Sequence, residues 1–158
     1  MPGKVNPIPD AYRGATPYLI CKGAAQAIEF YKKAFGATEM FRIGTPGGPI
    51  GHAEIRIGKD AIVMLADEYP DMGARSPRTI GGTPVSIYVY VENVDEFAKR
   101  AEAAGATIKR PVEDQFYGDR SVHIEHPFGH SWGFATHIED VPPEEISRRA
   151  AAKFGGHA

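Results

Sequence analysis

The chain has 158 residues, of which 42% are hydrophobic and 24% charged, and a formal net charge of -2. These values describe one ordinary globular domain, or two small halves sharing a core, and exclude a broad basic surface for nucleic acid. No apolar run approaches the roughly 20 residues that span a bilayer, and the single cysteine, Cys21, excludes an internal disulfide or a Cys-based zinc site.

Residues 1–14 hold Pro2, Pro7 and Pro9 with little periodic apolar content and read as an extended arm. The arm lacks the hydrophobic segment of a signal peptide, so a cytoplasmic location is expected. Tyr18 to Cys21 reads as a strand. Ala24, Ile28, Tyr31 and Phe35 recur at helical spacing, and Gly36 supplies the stop. Thr38 to Ile43, Gly51 to Ile57 and Ala61 to Ala66 read as strands. In the second of these, Ala53, Ile55 and Ile57 face one way and His52, Glu54 and Arg56 the other. Residues 67–83 are rich in Gly, Pro and charge, which predicts a linker or a lid.

Val85 to Glu92 alternates again, with Val85, Ile87, Val89 and Val91 on one face and Ser86, Tyr88 and Tyr90 on the other. Asn93 and Glu96 form a capping box for a helix buried through Val94, Phe97, Ala98 and Ala101 and ended by Gly105. Thr107 to Arg110 reads as a strand, Pro111 to Asp119 as a loop bearing Phe116 and Tyr117, and Arg120 to Glu125 and Ser131 to Thr136 as the last strands. Pro142 and Pro143 open a final helix, with Glu144 and Glu145 complementing its dipole. Each half is therefore βαβββ. The halves share an H-x-E-x-x-x-G pattern, His52-Glu54-Gly58 and His123-Glu125-Gly129, and each has a helix ending in Gly-Ala-Thr. This ordered recurrence predicts a duplicated supersecondary unit.

Two βαβββ units, the Gly-Ala-Thr helix ends and the His-Pro-Phe-Gly-His-x-Trp turn at residues 126–132 resemble the vicinal oxygen chelate superfamily, in its PhnB-like, glyoxalase/bleomycin-resistance/dioxygenase group. The resemblance covers roughly residues 15–140 and implies an α+β fold. Its two modules, 15–66 and 84–137, would form a curved, cup-like mixed sheet with helices outside, followed by a C-terminal helix and tail at 141–158. Metal-dependent members place His, Glu or Gln ligands on the first and last strand of each module. Carried over, those positions fall on Thr16 or Tyr18, Ile62 or Met64, Ser86 or Tyr88, and Gly133 or Ala135, none of which is a usual imidazole or carboxylate ligand.

The leading expectation is a metal-free, cofactor-free protein that sequesters an aromatic or amphipathic molecule in a Tyr-lined cup, as a homodimer. Tyr18, His52, Glu54, Met64, Ser86, Tyr88, Tyr90, Tyr117, His123 and Glu125 would line that cup. The alternative is an enzyme, a metal-dependent lyase, isomerase or dioxygenase, holding a divalent metal through His52, Glu54, His123 and Glu125. A third reading is a purely associative dimer. His126 and His130 read as turn or rim residues, His137 as a strand exit, and His157 as part of a tail. Cys21, Trp132 and Phe134 read as core.

Overall fold

In the computed structural model, which describes residues 5–12, 14–125 and 127–155, Gly36 ends the first helix with φ 63° and its N–H on the Tyr31 carbonyl. That left-handed turn suits glycine, and it swings the chain back onto the sheet. The first module runs β1 (Tyr18–Cys21), α1 (Ala24–Phe35), β2 (Thr38–Gly44), β3 (Ile50–Ile57) and β4 (Ala61–Asp67), and its strands lie in the order β1-β4-β3-β2. β1 runs parallel to β4 and the other pairs are antiparallel. The segment expected as a linker is folded. It holds a short 3-10 turn (Pro70–Met72) and helix α2 (Pro77–Ile80), pinned by Glu68, whose carboxylate accepts from the Ser76 N–H at 2.7 Å and from the Thr79 hydroxyl. These bonds, led by those from Ser76, hold the Glu68 carboxyl down to about 2.

The second module repeats the order with β5 (Ser86–Tyr90), α3 (Val94–Ala103), β6 (Thr107–Asp114), β7 (Asp119–Glu125) and β8 (Ser131–His137), in a sheet ordered β5-β8-β7-β6. β6 runs on through Pro111, where a loop was expected. It is the edge strand, with a register shift between Arg110 and Glu113, so the missing proline N–H breaks no ladder that the sheet needs. Helix α4 (Pro143–Phe154) docks on its own chain. Arg149 pairs with Glu139 at 2.8 Å and donates to the Phe116 carbonyl at 3.2 Å. No described helix is long and apolar enough to cross a membrane.

Period-two patterning sends one face of each sheet inward. Ala53, Ile55 and Ile57 of β3, Val63 and Leu65 of β4, and Val122, Ile124, Trp132 and Phe134 of β7 and β8 are buried with α1 and α3. The helices also pack on each other, so the two modules share one core. Phe35, at the end of α1, lies 5.6 Å from Phe97, 5.2 Å from Trp132 and 4.8 Å from Phe134, measured between ring centroids. Cys21 is fully buried, as a small apolar residue would be.

The helix starts are tied to the far ends of the sheets. Asp67, last in β4, accepts from the Gly23 and Ala24 N–H groups at 3.2 and 2.8 Å and from Ile50 N–H at 2.7 Å. In the second module Thr136 accepts from Val94 N–H at 2.9 Å, and the Asn93 side chain takes Glu96 N–H at 3.1 Å, as its capping pattern predicts. Tyr18, His52, Glu54, Tyr88 and His123, which alternate with the buried positions, are left on the face away from the helices.

Candidate functional site

Strand pairing assembles one row of side chains across each open face. In the first sheet Tyr18 lies opposite Met64, Met64 opposite Glu54, and Glu54 opposite Phe41. In the second, Tyr88 lies opposite Gly133, Gly133 opposite His123, and His123 opposite Arg110. Counted from the two tyrosines, the rows reach Glu54 in one sheet and His123 in the other. The H-x-E repeat is therefore not carried into matching rows.

The first row centres on a buried carboxylate. Glu54 is 4% exposed and hydrogen-bonds through Oε1 to His52 Nε2 at 3.1 Å, while Oε2 accepts from the hydroxyl of Tyr12. The other ring nitrogen of His52, Nδ1, meets the Tyr18 hydroxyl at 2.8 Å. The Tyr18 and Phe41 rings stand 5.4 and 5.6 Å from the imidazole. A carboxylate this deep is tolerable only because both oxygens are bonded. Tyr12 belongs to the arm that sequence reading left as a plain extended segment. A lone tyrosine between prolines carries no local signal for a contact 42 residues away.

In the second row the Cδ2–Cε2 edge of the Tyr88 ring packs against β8 at Gly133. A methyl carbon placed on Gly133 would sit 2.5 Å from Tyr88 Cδ2 and 3.5 Å from His123 Cε1. Burial, then the neighbouring Tyr117 and Asp119, raise the Tyr88 phenol above its usual value. Burial and then Arg110 lower the His123 imidazole. Ser86 accepts from Ser131 at 3.3 Å. Glu125 sits apart from His123, half exposed and paired with Lys109 at 3.0 Å.

Next to this row is an open cavity of about 520 Å³, walled by Tyr90, Tyr117, Asp119, His137, Val141 and Ile146. Asp119 is 4% exposed and accepts from the Tyr90 hydroxyl at 2.7 Å; its other oxygen lies 2.8 Å from His137 Nδ1. Asp119 and then Asp140 raise the His137 imidazole. The sequence showed Asp119 only as a loop end and His137 only as a strand exit; it is the β7–β8 register that makes them partners.

The residues at the family's ligand positions do not fit a divalent metal. Tyr18 opposite Met64 and Tyr88 opposite Gly133 offer two phenols, a thioether and no side chain. His52 and Glu54 lie on the first sheet and His123 and Glu125 on the second, and among the described residues no group of three His, Cys, Asp or Glu could hold a metal ion.

His130 meets its expectation in part. It stands at the turn before β8, as expected, but is buried rather than on a rim, in a pocket it shares with Ile20, Pro77 and Ile87. His126 and His157 lie outside the described residues. Burial pushes the His130 imidazole down to about 4, with a smaller opposing effect from the Ile20 backbone, and its Nδ1 has no protein partner. The folded state thus refuses a proton that the unfolded chain accepts. Stability should fall as pH drops from the ordinary histidine value of 6.5 toward about 4, and level off below. His137 has the opposite sign: its contribution is held below 6.5 and lost as pH rises through its raised folded value. Denaturant unfolding from about pH 8 to about pH 4 should therefore show a shallower acid limb for His130→Gln than for the parent; equal limbs would refute the assignment.

Comparison with known proteins agrees with this architecture. The model of the Glyoxalase/Bleomycin resistance protein/Dioxygenase superfamily matches residues 15–134. The uncharacterized protein Mb0911c of Mycobacterium bovis is 41% identical over 144 residues, covering 89% of this chain and 94% of that protein. Rv0887c of Mycobacterium tuberculosis is also 41% identical, over 89% of this chain and 84% of its own length. Among solved structures, TioX from Micromonospora sp. ML1 has a TM-score of 0.63 at 29% identity, covering 79% of this chain and all of its own. The fosfomycin resistance protein FosX from Listeria monocytogenes, solved with Mn(II) and sulfate, has a TM-score of 0.59 at 18% identity, covering 87% and 97%. The latter is a likeness of fold alone.

Proposed function

Because the chain belongs to the glyoxalase/bleomycin resistance protein/dioxygenase superfamily, we propose that it binds a small aromatic or amphipathic molecule in a Tyr-lined cup without the help of a metal ion. The observation that carries the reading is the Tyr88 ring packed edge-on against Gly133. A tyrosine ring occupies a position where metal-dependent relatives are expected to offer a ligand atom, and His123 beside it belongs to no group of three His, Cys, Asp or Glu among the described residues that could hold an ion. Tyr18, Phe41, Tyr88 and Tyr90 remain 41–58% exposed, which is ring surface available for stacking. Such a run of exposed rings also supports a homodimer in which a second copy covers this face. A cytoplasmic, PhnB-like protein completes the reading.

A panel of aromatic antibiotics and simpler aromatics, screened by thermal shift and titration calorimetry, tests it. At least one should bind, and Tyr88→Ala should weaken that binding about tenfold or more. No response across the panel would remove the support. The rival, a metal-dependent lyase, isomerase or dioxygenase, would be installed instead by stoichiometric metal that survives dialysis and is lost in His123→Ala.

A further inference from the structure

The bond between Tyr12 and Glu54 has chemistry of its own. Glu54 is a carboxylate with 4% exposure on a face that otherwise presents rings, and one of its two oxygens is satisfied from outside the sheet, by a phenol. That phenol arrives on an exposed segment. Residues 5–11 are all exposed, Val5 and Ile8 by 82% and 65%, and Tyr12 is itself turned by a bond from its N–H to the Pro9 carbonyl at 3.0 Å. The other oxygen is held within the sheet, by His52, which Tyr18 orients in turn. The carboxylate is thus held half by the sheet and half by an exposed N-terminal arm.

We infer that Glu54 is the recognition point for the hydroxyl of a phenolic ligand, and that Tyr12 of the chain's own arm occupies that point until such a ligand displaces it. This deepens, and rests on, the reading of the chain as an aromatic-binding protein. The exchange is nearly balanced, one phenol–carboxylate bond for another, so the ring contacts decide it. Phe41 and Met64 lie opposite Glu54 on either side, and Tyr18 and Phe41 flank His52, so the carboxylate is bordered by a thioether and aromatic rings. An aliphatic alcohol would satisfy the oxygen and leave those rings bare. An aryl carboxylate would set a second negative charge against Glu54. A neutral phenol meets both requirements.

The probes are 4-ethylphenol, ethylbenzene and 4-ethylbenzoate, titrated calorimetrically into the full-length parent, Tyr12→Ala and Glu54→Gln. Removing the built-in occupant should strengthen 4-ethylphenol binding about tenfold, the worth of a hydrogen bond to a charged group. In Tyr12→Ala, 4-ethylphenol should exceed ethylbenzene and 4-ethylbenzoate by about the same factor, and that preference should vanish in Glu54→Gln. The probe series within Tyr12→Ala decides the matter even if Glu54→Gln fails to fold. Ethylbenzene binding as tightly as 4-ethylphenol, or Tyr12→Ala leaving 4-ethylphenol binding unchanged, overturns the phenol assignment while leaving a general aromatic-binding cup intact. No binding of any aromatic to parent or variant overturns both.

Discussion

Gly133→Ala should fold normally and lose on the order of a hundredfold in affinity for the aromatic ligand. The added methyl would sit 2.5 and 2.8 Å from Tyr88 Cδ2 and Cε2, distances that carbon atoms do not tolerate. The Tyr88 ring is 41% exposed and has room to swing outward, so the clash is relieved by moving the ring rather than the strand. The core side of β8 is untouched, because Trp132 and Phe134 point the other way. The expected signature is a large change in dissociation constant with unfolding free energy within about 1 kcal/mol of the parent. Gly51→Ala is the control. It adds the same methyl to a strand where the nearest atom, the Ile43 carbonyl oxygen, is 3.7 Å away, and binding should be unaffected. Parental affinity in Gly133→Ala would mean that Tyr88 is not part of the binding surface.

Phe35→Ala should destabilise the protein by about 3–5 kcal/mol, a drop of roughly 10 °C in melting temperature. Phe35 is 2% exposed and touches five rings, Phe30 and Tyr31 on its own helix and Phe97, Trp132 and Phe134 from the other module. Removing it opens a cavity at the joint between modules, where neither sheet can collapse to fill it. The loss is a large fraction of the 5–15 kcal/mol that holds a typical domain folded. Phe154→Ala, on α4, should cost under about 1 kcal/mol, because that ring is 62% exposed despite its contact with Phe116. Calorimetric or denaturant unfolding of the two variants checks both numbers, and equal losses would contradict the placement of the shared core.

The two sites differ in electrostatic character. Near Tyr88, Glu125 is tied to Lys109 and Arg110 faces His123, while the buried Asp119 lies close enough to raise the phenol. Around Glu54 and Asp119 a buried carboxylate is held by a tyrosine and a histidine in each module. The Glu54 set takes its tyrosine from the arm, the Asp119 set from β5. One has a replaceable partner and the other does not, which directs ligand hydroxyls toward the first.

Local patterning in the sequence determined the module order, the helix bounds of α1 and the faces that β3 and β8 bury, whereas Val85, expected on the buried face, is 64% exposed. Alternation with period two and apolar recurrence at helical spacing are properties of neighbouring residues, and burial in a shared core enforces them. Asn93 was legible as a cap for the same reason, since its partner Glu96 is three residues away. Only the tertiary structure decided which side chains meet. The H-x-E repeat suggested matched sites, yet pairing registers put Glu54 and His123 in corresponding rows and sent Glu125 to Lys109. Tyr12 on Glu54, His137 on Asp119 and His130 beside Ile20 are contacts between residues far apart in the chain. Strand register and chain return fix such contacts, and a register shift of two residues leaves the buried face unchanged while exchanging every partner on the open one.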